Sequence, residues 1–239
     1  MVKKLIPAFI VLGLASTAWA DYEEIRELSL DTRGIDTLKI DAGAGSMEVK
    51  GVSGSNEIMV IATIQISGSD DDRAREKIES DMILSLEKDS DTAELKALFE
   101  SSGWNWGRGD SPRISLEVRM PEDLHLDVDD GSGSIEIENV RGDISMDDGS
   151  GSLSMKDVGG AVEIEDGSGS IKISGVGGDI SINDGSGSIT VKGVAGSVTV
   201  DDGSGSIDVS DVEEDLIIVD DGSGGLNFSN IGGRVQKDS

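Results

Sequence analysis

The sequence predicts an all-β fold, a parallel β-solenoid of about 18-residue coils, with a small helix-containing excursion near the N-terminal end. Three observations predict it. The segment DDGSGS begins at Asp129, and close variants begin at Asp147, Glu165, Asn183, Asp201 and Asp220, at spacings of 18, 18, 18, 18 and 19. Self-similarity at a fixed period marks a repeat architecture. Within each unit the apolar residues alternate, as in Ile135-Glu136-Ile137 and Ile144-Ser145-Met146, the pattern of strands with one buried face. No proline follows Pro121, as an unbroken backbone ladder requires.

Composition narrows the function classes. The 239 residues carry 20 Lys+Arg against 48 Asp+Glu, a formal charge of −28, with 33 glycines and no cysteine. Without cysteine there is no disulfide framework, zinc-thiolate site or thiol enzyme. Strong acidity argues against nucleic acid or an anionic membrane surface as a direct partner.

Residues 1–20 read as a signal peptide. Lys3 and Lys4 form the positive n-region, Leu5 to Leu14 the apolar stretch, and Ala18-Trp19-Ala20 the small-x-small site, with cleavage expected after Ala20. The apolar run is too short for a stable membrane span, so no integral membrane segment is expected in the mature chain. Removing Lys3 and Lys4 with the leader takes the charge from −28 to −30. The expected destination is the periplasm or the cell exterior.

Residues 21–123 read as one N-terminal coil plus an excursion. The stretch from Leu38 to Val49 repeats the layout of Leu126 to Ile137, and Val52 falls where Val140 does. In the excursion, Asn56 to Ile66 reads as a long strand. Ser69 is placed as the cap of a short helix over Asp70 to Met82, with acids in its first turn. Strands are expected over Ile83 to Leu86, Ala93 to Phe99 and Ile114 to Met120. The helix would cover a solenoid end otherwise open to aggregation.

Residues 124–235 form the repeats, and 236–239 a tail. Stacking the units gives an inward column of Ile135, Leu153, Ile171, Ile189, Ile207 and Leu226. A second reads Ile137, Met155, Ile173, Val191, Val209 and Phe228, and a third Val140, Val158, Val176, Val194, Val212 and Ile231. Ile144, Val162, Ile180, Val198 and Val235, with Met146, Ile164, Ile182 and Val200, line the other side. One turn is the Asp-Gly of DDGSGS. The other uses Gly142, Gly160, Gly178, Gly196 and Gly233, with Glu214 as the exception. The extra residue of the fifth unit is placed in that Val-Glu-Glu-Asp turn, which sends Ile217 and Val219 inward. At about 4.8 Å per coil, six coils span roughly 30 Å.

This layout includes a signal peptide, a GxGS-type coil, a helix-containing excursion and Val118-Arg119-Met120-Pro121-Glu122-Asp123-Leu124-His125-Leu126-Asp127-Val128, followed by DGSGSI units. It resembles the bacterial "putative adhesin" family of β-strand-repeat proteins, a domain of unknown function, over roughly residues 30–235. The resemblance implies an extracytoplasmic β-solenoid, and it supplies no catalytic residues.

The acidic edge is the first candidate site. Asp130, Asp148, Asp166, Asp184, Asp202 and Asp221 recur at one position of every coil, beside Asp129, Asp147, Glu165, Asp201 and Asp220. Carboxylates stacked about 4.8 Å apart repel by about 0.9 kcal/mol in water before screening. Two remedies offer themselves: each Asp accepting backbone N–H bonds in its own turn, or Ca²⁺ bridging successive coils. The calcium-binding nonapeptide roll does not align, because Ile135 falls where its ligand Asp belongs.

Trp104 and Trp106, in a polar loop at 101–113, are the second candidate: exposed, they would stack on sugars or anchor a protein partner; folded back, they would cover the solenoid. Arg108-Gly109-Asp110 and Arg141-Gly142-Asp143 read as by-products of a glycine- and aspartate-rich turn chemistry. His125, the only histidine, alternates with Leu124 and Leu126 as a solvent-facing strand residue and is not placed as a catalytic base. The outward column Glu136, Ser154, Lys172, Thr190 and Asp208 carries no ordered array. The expectation is a non-enzymatic envelope protein binding an unknown protein or glycan, with no cofactor other than Ca²⁺ if the Asp edge holds it. A calcium-dependent envelope protein and a carbohydrate-active β-helix enzyme are the alternatives.

Overall fold

A computed structural model describes residues 22–68, 70–100 and 111–237. The repeats form two sheets facing each other across one aliphatic core, and each coil contributes one strand to each sheet. The strand β8 (His125–Glu138) makes both contributions without a break. Its first half, Leu126 to Asp130, lies in one sheet, followed by β9 (Ile144–Asp148), β11 (Val162–Asp166), β13 (Ile180–Asp184), β15 (Val198–Asp202), β17 (Leu216–Asp220) and β19 (Val235–Lys237). The second half begins the other sheet, continued by β10 (Gly151–Val158), β12 (Gly169–Val176), β14 (Gly187–Val194), β16 (Gly205–Val212) and β18 (Gly225–Ile231). Every pairing among these strands is parallel, residue i to residue i+18 until the last two coils. This is the solenoid that the repeat predicts.

The coil spelled by Leu38 to Val52 joins the stack directly. The strands β2 (Thr37–Ala44) and β3 (Met47–Val52) lie parallel to the two halves of β8, pairing Leu38 with Leu126, Ile40 with Val128 and Val49 with Ile137. The excursion adds a further layer that the sequence does not announce. The strands β6 (Thr92–Phe99) and β7 (Ser111–Pro121) stack in parallel on β2 and β3, placing Leu95 beside Ile40 and Val118 beside Val49.

Antiparallel strands then close this end. In one sheet, β4 (Glu57–Ser67) pairs with β7, and β1 (Tyr22–Asp31) pairs with β4; in the other, β5 (Met82–Asp89) pairs with β6. Between β4 and β5, helix α1 (Asp71–Asp81) joins the two sheets and buries Ala74 and Ile78 in the core. Its cap is Asp70, whose side chain accepts from the Arg73 amide at 3.0 Å, rather than Ser69, which lies outside the described residues. A carboxylate at this position both accepts the orphan amide and meets the positive helix end.

The extra residue of the fifth unit sits elsewhere than expected. Leu216 and Ile218, each fully buried, take the inward columns, while Ile217 turns outward and Val219 is 42% exposed. The register shifts between Val200 and Asp201, making Val219 a bulge at the end of β17. The turn itself keeps its bond to the preceding coil, with the Glu213 amide on the Val194 carbonyl as the Gly177 amide is on Val158. A residue inserted there would break amide bonds to both neighbouring coils; a strand-end bulge disturbs the ladder at one point.

That ladder runs through the turns as well as the strands. Gly149, Gly167, Gly185 and Gly203 donate to the carbonyls of Asp130, Asp148, Asp166 and Asp184 in the coil before, at 2.8–2.9 Å. The second glycine of each GSG therefore sits against its predecessor's backbone: a Cβ on Gly151 would lie 1.7 Å from the Gly133 oxygen, at φ +153. Gly151→Ala should cost at least about 2 kcal/mol, because no side chain can move aside for it. Gly54→Ala, at φ +69 with nothing within 4 Å, should cost about 1 kcal/mol. Urea midpoints of the two variants measure the difference.

Candidate functional site

Strand alternation decides where the repeated aspartates point. In β9, β11, β13 and β15 the first, third and fifth residues face inward, and the fifth is Asp148, Asp166, Asp184 or Asp202. Asp130 holds the same place on β8. All five are 0–6% exposed, so what the sequence presents as an acidic edge is an internal ladder of carboxylates between the two sheets. Their neighbours Asp129, Asp147 and Glu165 face solvent. The ladder pairs Asp130 with Asp148, then Asp166, Asp184 and Asp202 in strict register.

Both ends of the ladder are closed. Ala42 and Ala97 occupy the position beyond Asp130. At the other end Asp221 falls outside the strand after the Val219 bulge, and its carboxylate pairs with Lys237 at 2.7 Å. The six recurring aspartates are thus five in one column and one ion-paired at its mouth.

Turn chemistry satisfies one oxygen of most members. The amides of Ser150, Ser168, Ser186 and Ser204 donate to Oδ1 of Asp148, Asp166, Asp184 and Asp202 at 2.9–3.1 Å. The second oxygen is different: Oδ2 of Asp130, Asp148, Asp184 and Asp202 is buried with no hydrogen-bond partner. Two ionised carboxylates at this spacing would repel by about 3 kcal/mol at an effective dielectric of 20. Burial, reinforced by the charges of Asp148 and Asp129, pushes Asp130 up to about 7. Burial likewise pushes Asp184 up to about 6, against the pull of the Ser186 amide, and raises Asp148, Asp166 and Asp202. A proton on a ladder member converts repulsion into an O–H···O contact with its neighbour.

Among the described residues no three His, Cys, Asp or Glu side chains converge as a metal site requires. Ca²⁺ takes six to eight oxygens, whereas Asp148, Asp184 and Asp202 each already commit Oδ1 to a serine amide and keep one oxygen, Oδ2, without a partner.

A second ladder runs along the other turn, and the sequence reading missed it. The Asp143 amide donates to Nδ1 of His125 at 3.0 Å, the Ala161 amide to Asp143, the Ser197 amide to Asp179 and the Arg234 amide to Asp215. His125 is thus an acceptor joining two coils, half-exposed as a solvent-facing strand residue should be. A third column, Asn139, Asp157, Gly175, Gly193, Asp211 and Asn230, holds positive φ of 55–72° in each of the six repeat units. Its signal was present: only Asn, Asp and Gly, the residues that tolerate this conformation, appear in it. A shallow groove along the outer face of the β9-containing sheet is lined by His125, Asp127, Asp143, Glu163, Asp179 and Ser197. Trp104, Trp106, Arg108-Gly109-Asp110 and Ala20 lie outside the described residues, whereas Arg141-Gly142-Asp143 is one of the inter-coil turns. No helix among the described residues is long and apolar enough to cross a membrane.

No protein-family model and no curated protein matches the chain. Among solved structures, it is similar to a "putative cell adhesion protein" from Clostridium sporogenes, at 13% identity and a TM-score of 0.38, over 91% of this chain and 99% of that one. It is similar also to a "putative adhesin" from Bacteroides fragilis, at 10% identity and 0.40, over 90% and 97%. A third is a "putative lipid binding protein" from Parabacteroides distasonis, at 14% identity and 0.43, over 91% and 97%.

The ladder makes stability depend on pH in a definite direction. Asp130 and Asp184 hold protons to about pH 7 and about pH 6 in the folded state, against 3.8 unfolded. The folded protein therefore binds more protons across that window, and its stability falls as pH rises through it. The thermal midpoint should be higher near pH 5 than near pH 8, and Asp130→Asn with Asp184→Asn should flatten the profile. Midpoints with Ca²⁺ and with chelator, at fixed ionic strength, should coincide; a Ca²⁺-specific rise would put cations between the Oδ2 atoms instead.

Proposed function

We propose that the chain is an exported, non-enzymatic β-solenoid that serves as an adhesin-type interaction or structural module of the bacterial cell envelope. The observation that carries this reading is the uniformity of the coils. Every repeat turn is short, bonded to its neighbours and of nearly one length, so among the described residues no repeat turn rises to wall a substrate cleft. Two kinds of group that could do acid–base work are committed elsewhere: His125 accepts the Asp143 amide, and the ladder aspartates are buried between the sheets. What the repeat supplies is a stiff rod with an extended polar face.

Two places on it suit an envelope glycan or protein. One is the groove over β9, β11 and β13, whose Asp127, Ser145, Glu163 and Ser181 offer short acceptors and hydroxyls along a straight line. The other is the sequence before β7 that carries Trp104 and Trp106, as aromatic rings stack on sugars and anchor protein partners. The leader at residues 1–20 is the support for export. Ca²⁺ enters this reading only if the ladder test above shows it.

The test is retention of the purified protein on cell-envelope fractions and on arrayed envelope polysaccharides. Trp104→Ala with Trp106→Ala should weaken retention about tenfold or more if the loop is the contact, at an unchanged thermal midpoint. Glu163→Lys should weaken it if the groove is. Turnover of an arrayed polysaccharide would contradict the non-enzymatic reading.

A further inference from the structure

The two ends of the solenoid are built differently. At the N-terminal end β1, β4, β5 and α1 close the stack, whereas among the described residues nothing lies on β18 and β19. One coil further in, Ile207, Val209, Val212 and Leu216 are 0–2% exposed. Their successors in the last coil continue the same columns without cover. Phe228 is 48% exposed, Val235 is 42% exposed, and Leu226 and Ile231 are half-buried. No further described strand pairs with β18 or β19 on the outer side. This is an open apolar sheet edge of the kind that recruits another strand.

Charge tells what it is made to meet. Residues 222–237 contain no Asp or Glu, in a chain of net charge −28. The last coil also covers the acids beneath it: Asn227 donates to Asp208 at 3.0 Å, Asn230 to Asp211 at 2.8 Å, Arg234 to Asp215 at 3.0 Å and Lys237 to Asp221 at 2.7 Å. A strongly acidic body that approaches this face meets these four acids already bonded. Geometry narrows the choice further. A partner must extend both sheets at once, at their own separation, with apolar side chains on the inner side. The same end of a second copy does this: a two-fold axis normal to the sheets lays β18 antiparallel on β18 and β19 antiparallel on β19 and keeps both cores continuous.

We infer that the face formed by β18 and β19 is a self-association surface, and that two copies join tail to tail through Phe228, Val235, Leu226 and Ile231. Such an interface is isologous and closes at two. The end of the rod is roughly 23 Å by 15 Å, about 350 Å² per copy, less than half the area of a standard stable interface. The dimer is therefore weak and concentration-dependent. It would double the rod and leave the closed ends formed by β1, β4, β5 and α1 outermost.

Sedimentation velocity of the purified protein from about 5 μM to about 500 μM reads this directly. The expected result is a shift from monomer towards dimer with concentration, with nothing larger. Phe228→Lys and Val235→Lys, each at an exposed position, should leave the protein monomeric throughout with its thermal midpoint unchanged. Met59→Lys, an equally exposed apolar residue on β4, should dimerise as the parent does. A monomer at every concentration, a dimer indifferent to both end substitutions, or a series of species growing past two would each overturn the inference.

Discussion

The amide-to-carbonyl bond from one coil to the next is the interaction on which everything else in this molecule depends. Because it runs through the turns as well as the strands, residues of the regular coils lie about 4.8 Å from their counterparts one coil away, so what one repeat places there the others stack into a column. Columns of Ile, Val and Leu then fill the space between the sheets. The columns of glycine follow from the same closeness, since a Cβ at Gly133, Gly151, Gly169 or Gly187 would enter the preceding carbonyl. So does the column of Asn, Asp and Gly at positive φ.

The ladder of Asp130, Asp148, Asp166, Asp184 and Asp202 is the cost of that register. An aspartate at the end of the inward strand gives four of the five turns an amide acceptor, and repetition stacks the carboxylates. The molecule offsets this with serine amides on Oδ1, with raised proton affinity, and with a boundary at each end: Ala42 on one side, the Lys237 pair with Asp221 on the other. The outward acids carry no such penalty, since Asp129, Asp147 and Asp201 are screened by water. A chain of this net charge thus keeps most of its acids where they cost least, apart from the five that the turns require.

Much of the fold was legible in the sequence because repetition made each position visible several times. The 18-residue spacing gave the solenoid, the alternation gave the inward columns, and the Leu38 to Val52 copy gave a coil that does stack on β8. What repetition could not show is what occurs once. The layer formed by β6 and β7, and the strand β1 that seals β4, have no siblings to align against. The bulge at Val219 was misplaced because Ile217 and Val219 are as apolar as Leu216 and Ile218; only the bonds of the turn decide between them. For the candidate site, the sequence identified the right aspartates but read them as an edge. Counting alternation forward from Ile144 to Asp148 puts the aspartate inside, and the polarity of the residue argued against that count. Serine amides and protonation overcome the polarity, and neither is a sequence pattern.

Amide hydrogen exchange of the repeat turns tests the claim of a continuous inter-coil ladder most directly. If the bonds from Gly149, Gly167, Gly185 and Gly203 to the preceding coil exist as described, these loop amides should be protected as strongly as those of Ile171 and Ile189 in the strands. Turn amides that exchange at rates near those of an open chain, beside protected strands, would contradict it and leave the buried aspartates without the register that stacks them.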